Sequence, residues 1–171
     1  MFTGVAGRFV WAVVVVMLGI SASNSFAADA AKALTLSKAL AQVNLFAHLT
    51  DAERDALKAA ATLRLGSAGE RIIKQGKALD RMFIILDGQA EVWINGKQIA
   101  ALSGQPLVGE IEFLDGLPAT ADVLLPKATH LVELNYAALK SLMNKQPRLG
   151  YVLMREIAQI EGRRLRAMAR K

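Results

Sequence analysis

Between Leu107 and Val123 the chain runs Leu-Val-Gly-Glu-Ile-Glu-Phe-Leu-Asp-Gly-Leu-Pro-Ala-Thr-Ala-Asp-Val, and here residue types and spacing could support chemistry. Gly109-Glu110 ends an apolar run, Asp115–Pro118 turns the chain, and Ala119-Thr120-Ala121 leads back into a strand. Small residues beside one fixed carboxylate suit a pocket where backbone N–H groups meet an anion and the carboxylate meets hydroxyls. A plain turn joining two strands fits the same residues. Glu110 and Glu112 stand at i,i+2, but no positioned nucleophile accompanies them, so no enzyme is expected. His48 and His130 lie far apart without cysteine or carboxylate at ligand spacing, so no metal site is expected either.

The elements that must position this stretch follow from periodicity. Ala28–Ala41, rich in Ala, Lys and Leu, is expected to be helical. Leu45-Phe46-Ala47-His48-Leu49 is an apolar knob ahead of a helix start, where Thr50 caps and Glu53 completes a capping box. Ala56, Leu57, Ala60 and Leu63 are expected on that helix's buried face, with Gly66 and Gly69 ending it. From Glu70 the period becomes that of strands. Ile72-Ile73 precedes a Gln75-Gly76 turn, and Met82–Leu86 reads as a fully buried strand before Asp87-Gly88. Asn95-Gly96 predicts a type I′ hairpin between Val92–Ile94 and Gln98–Leu102. Asp122–Leu125 and His130–Leu134 are two more strands. Asn135 then caps a helix over Tyr136–Asn144, and Pro147 opens a longer one over Arg148–Arg170. Its apolar stripe is expected at Leu149, Leu153, Ile157, Ile160, Leu165 and Met168. The expected class is α+β, a small antiparallel β-roll or barrel flanked by N-terminal helices and a long C-terminal helix.

The 171 residues are one domain's worth, and 53% of them are hydrophobic. Phe9–Ile20 is an uncharged apolar run preceded by Arg8 and followed by Ser25-Phe26-Ala27, the layout of a secretory signal peptide over residues 1–27. The run is short for a spanning helix, which needs ~20 apolar residues. The expected location is therefore periplasmic or secreted, with membrane anchorage only if the segment stays uncleaved. No cysteine is present, which excludes disulfides and thiolate chemistry. The formal charge is +6, and Arg8 is the one charged residue in 1–27, so the mature charge is +5. Much of the excess lies in Arg155, Arg163, Arg164, Arg166, Arg170 and Lys171, read as a solvated basic helix end.

The ordered set Leu45-Phe46, Gly69-Glu70, Gln75-Gly76, Met82–Leu86, Asp87-Gly88, Gly109-Glu110-Ile111, Phe113-Leu114, Pro118, Thr120-Ala121 and Arg163-Arg164-Leu165 carries a resemblance. From about Val43 to Met168 the chain resembles the cyclic-nucleotide-binding domain family, known from the catabolite activator protein and kinase regulatory subunits. The resemblance implies a double-stranded β-helix, jelly-roll-like, with a helical lead-in over 28–42 and the domain over 43–171. It also implies a phosphate-binding cassette in which Glu110 accepts from a ribose 2′-hydroxyl. The family's arginine after the proline is absent: Ala119 follows Pro118, and Thr120-Ala121 keep the hydroxyl and the alanine. A replacement cation such as Arg81 or Lys127 is one way to fill the role. The expected ligand site is thus Gly109, Glu110, Ile111, Ala119, Thr120 and Ala121, for cyclic AMP, cyclic GMP or another small polar ligand held weakly. The rival expectation is a scaffold that keeps the fold without a ligand. An unidentified protein partner and a homodimer through the last helix fit either; DNA is not an expected partner.

Overall fold

Asn95 and Gly96 both adopt positive φ (50° and 76°), so the chain reverses there in a tight hairpin. That hairpin joins β4 (Gln89–Ile94) to β5 (Lys97–Ser103) and sets the register of one sheet. The computed structural model describes residues 34–170, so the 1–27 segment and the first residues of the 28–42 lead-in lie outside the described residues. The remaining elements, in chain order, begin with helix α1 (Leu36–Gln42), α2 (Asp51–Ala56) and strands β1 (Ala61–Gly66), β2 (Arg71–Ile73) and β3 (Arg81–Ile85). After the hairpin come β6 (Leu107–Val108), helix α3 (Glu110–Asp115), β7 (Asp122–Leu124), β8 (Thr129–Asn135), α4 (Tyr136–Lys145) and α5 (Pro147–Met168). Two antiparallel four-stranded sheets result, ordered β1-β8-β3-β6 and β2-β7-β4-β5. With the helices at both ends this is the expected α+β roll.

Strand β3 explains how roll and helices share one core. Its alternate side chains serve two clusters, and both faces are buried. Met82 and Ile84 join Leu40, Phe46, Leu57, Phe113, Leu149 and Leu153 under the helices. Phe83 and Ile85 join Val108, Ala119, Val123, Leu125 and Leu131 inside the roll.

Local signals account for the helix starts. Thr50 accepts from the Glu53 N–H at 3.2 Å while the Glu53 carboxylate accepts from the Thr50 N–H at 2.8 Å, closing the capping box. Asn135 accepts from the Ala138 N–H at 3.0 Å, and Pro147 occupies the first turn of α5.

Two expectations need correction. The α2 helix stops at Ala56, a 3₁₀ turn covers Leu57–Ala59, and Leu63 lies on strand β1. Six residue pairs from Ala61↔Leu134 to Gly66↔Thr129 hold β1 against β8, and this long-range ladder overrides the helical pattern read locally. The buried stripe of α5 ends at Ile160; Leu165 and Met168 are 66% and 70% exposed. The five-residue step from Ile160 to Leu165 turns it off the buried face, because only steps of three or four stay on one side of a helix.

Among the described residues no helix is long and apolar enough to cross a membrane. Leu153, which is 1% exposed, fastens α5 to the roll. Leu153→Ala is expected to cost about 2–5 kcal/mol, read as a lower urea midpoint at unchanged slope.

Candidate functional site

The site begins where β6 hands over to α3. Gly109 stands at φ 85°, and a Cβ there would lie 3.1 Å from the Met82 Cα and 3.2 Å from the Arg81 carbonyl. Only glycine fits a left-handed residue pressed so closely on a neighbouring strand. The Tyr136 hydroxyl, at the start of α4, donates to the Gly109 carbonyl. Burial, with the carboxylates around it, holds that phenol well above its ordinary pKa. Phe113 packs its ring 5.2 Å from that of Tyr136, tilted by 57°, and the Lys140 ammonium covers the Phe113 ring. Short as α3 is, both its beginning and its inner face are tied to α4.

These ties turn Glu110 inward, where it is 3% exposed. Its Oε1 accepts from Arg164 of α5, whose same Nη1 also donates to Glu161 at 2.8 Å. The Arg164 Nη2 donates to the Leu107 carbonyl at 2.6 Å. Glu110 Oε2 is buried without a hydrogen-bond partner among the described residues. Burial pushes the Glu110 carboxyl up to about 7, against the pull of the Arg164 charge.

Beside this pair lies a recess of about 120 Å³. Gly109, Glu110, Ile111, Thr120 and Ala121 line it together with Arg164, so five of the six expected site residues meet there. Ala119 does not line it. Its N–H donates to the Lys77 carbonyl at 2.9 Å, its carbonyl accepts from Gly76 at 2.7 Å, and its methyl lies in the inner core cluster. Asp122, next along, accepts from the Gln75 N–H at 2.8 Å and faces Arg71 at 3.7 Å.

Neither suggested replacement cation reaches the recess. Arg81 is held by Asp80 and by Glu133 of β8, and Lys127 lies in the β7–β8 turn. The guanidinium lining the recess is that of Arg164, expected on the solvated basic helix end but turned inward onto Glu110 and the Leu107 carbonyl. A signal existed: Leu149, Leu153, Ile157, Ile160 and Arg164 step by four, four, three and four, placing a charge where the buried stripe continues. The histidines lie elsewhere, His48 3.8 Å from Glu156 and His130 3.1 Å from Asp87. Among the described residues no group of three metal-ligating side chains forms.

The Glu110 pair makes stability depend on pH with a definite sign. Its folded pKa of about 7 lies above the ordinary 4.5, so between those values the folded state holds a proton that the unfolded chain has released. The Glu110 contribution is complete below that window and fades as pH rises through it. Glu110→Gln removes it. Urea midpoints of the two proteins should therefore converge, or cross in favour of the variant, from about pH 5 to about pH 8. Parallel profiles would contradict the assignment.

Comparison with known proteins agrees with this geometry. The family described as "Cyclic nucleotide-binding domain" matches residues 64–146. A cGMP-dependent protein kinase of Toxoplasma gondii is 30% identical over 118 residues, 69% of this chain and 12% of the kinase. The chain thus spans about a tenth of the length of the curated relatives it matches. A cyclic nucleotide-binding domain from Methylobacillus flagellatus superposes with a TM-score of 0.67 at 22% identity, covering 77% of each chain. The Thermus thermophilus catabolite activator protein does so at 0.61 and 25% identity, over 73% of this chain and 59% of that one. The roll of two sheets and the long closing helix match the fold of this group. In its fold, and by the match over residues 64–146, the chain is similar to the cyclic nucleotide-binding domain family.

Proposed function

We propose that the protein is an exported small-ligand binding module, not an enzyme, whose cassette holds cyclic AMP or cyclic GMP weakly or not at all. One observation carries this reading: Glu110 and Glu112 both line the recess, and the guanidinium lining it, Arg164, is already shared between Glu110, Glu161 and the Leu107 carbonyl. A cyclic phosphate carries a full charge and must lose its water to enter. Without a dedicated cation, the loss of one partner from a buried charge pair costs ~3–5 kcal/mol. At 1.4 kcal/mol per decade this lowers affinity roughly 10² to 10⁴-fold.

What remains suits a polar, hydroxyl-bearing guest. Glu110 accepts from hydroxyls, the Ile111 and Ala121 N–H groups face an anionic or carbonyl oxygen, and Thr120 adds a hydroxyl. Entry displaces Arg164 from Glu110, which loosens the end of α5 from the roll and reports occupancy. The recess volume of about 120 Å³, below the ~300–1,000 Å³ usual for small-ligand pockets, favours a second reading: a scaffold that keeps the fold and works through its surfaces. In either case the partner is a protein still to be identified rather than DNA. Tyr151, Leu165 and Met168, exposed on α5, suit contact with a second copy. Removal of residues 1–27 would make Ala28 the first residue of the purified protein, which N-terminal sequencing reads directly.

Calorimetry with cyclic AMP and cyclic GMP is expected to give no saturable heat below about 1 mM, whereas a micromolar Kd would overturn the weak-cassette reading. Because the Ala119 methyl lies in the inner core and not in the recess, Ala119→Arg is expected to lower the urea midpoint without adding cyclic nucleotide binding.

A further inference from the structure

Arg164 also lines a second and larger hollow. A cleft of about 400 Å³ opens between the turn at Val43–Leu45, the β5–β6 connection and α5. That volume lies within the ~300–1,000 Å³ range of small-ligand pockets. Its floor is apolar, with Leu45, Ile84 and Leu107 all buried. Its walls carry the neutral polar groups of Asn44, Ser103 and Gln105. Among the described residues the only charged side chains along it are Arg163 and Arg164, and no carboxylate lines it.

The walls are fixed by one residue. Gln105 accepts from the Asn44 N–H at 3.0 Å and donates to the Gln42 carbonyl at 3.1 Å, clamping the β5–β6 connection to the end of α1. A cleft whose sides are already tied costs less to occupy than one that must be ordered. Arg164 is committed to Glu110, Glu161 and Leu107. Arg163 is exposed and has no hydrogen-bond or ion-pair partner among the described residues.

We propose that this cleft binds an organic monoanion with an apolar body, its head on Arg163 and its tail over Leu102 and Ile160, the partly exposed apolar side chains of the lining. Charge complementarity selects the sign of the guest and the apolar lining selects its tail. The cleft opens beside the cassette recess and shares Leu102 and Arg164 with it, but its anchoring charge, Arg163, does not line that recess.

Sodium octanoate is the probe, titrated into the full chain and followed by amide NMR shifts of Ser103 and Gly104. Octanol and acetate, which keep the tail alone and the head alone, are the controls. Octanoate is expected to shift both amides saturably with a submillimolar Kd, with Arg163→Gln and octanol each about tenfold weaker and acetate silent. Ala101→Trp, a substitution at an exposed position on the cleft wall, is expected to abolish the shifts without unfolding the protein. Equal affinity for octanol and octanoate, an unchanged Kd in Arg163→Gln, shifts surviving in Ala101→Trp, or no shift up to about 10 mM would each overturn the proposal.

Discussion

The contact between Arg164 and Glu110 joins the two halves of the domain at the place where a guest would enter. Glu110 belongs to the roll, and Arg164 comes from the last helix, 54 residues further on. A carboxylate so nearly excluded from water is tolerable only with a cation or a proton, and both are in play here. The helix therefore does two jobs at its far end. Leu149, Leu153 and Ile157 bury it against the outer core, and Arg164 closes the polar mouth beyond that core.

The division of the core into two clusters makes this arrangement workable. The inner cluster lies between the two sheets and needs no helix to complete it. The outer cluster depends on α1, α4 and α5 lying over β3 and β8. Movement of α5 would disturb the outer cluster while leaving the inner one intact. A roll that stays rigid while a helix shifts is what converts occupancy of a recess into a displacement elsewhere.

A second set of charges stiffens the roll itself. Glu133 of β8 is nearly buried and sits between Arg64 of β1 and Arg81 of β3, each donating to a different carboxylate oxygen. Arg64 continues to Glu70, whose carboxyl it holds below the ordinary range. Three adjacent strands are thus stitched by side chains as well as by their backbone ladders. The same commitment removes Arg81 from the cassette. Where a cation is placed by one buried acid, it is lost to another.

What was legible in the sequence was whatever depends on a few neighbouring residues. The Asn95-Gly96 hairpin, the Thr50–Glu53 box and the Asn135 cap each follow from local sterics or a hydrogen bond spanning three residues. So did the gathering of Gly109, Glu110, Ile111, Thr120 and Ala121, since the short stretch 109–121 carries them all. Tertiary structure alone decided the rest. It drew Leu63 into a strand, because a partner about 70 positions away offered a ladder worth more than local helix preference. It buried Ala119 in the core rather than in the recess, and it set Arg164 against Glu110. Those outcomes depend on which surfaces meet after the chain has closed on itself, and one-dimensional spacing carries no record of that meeting.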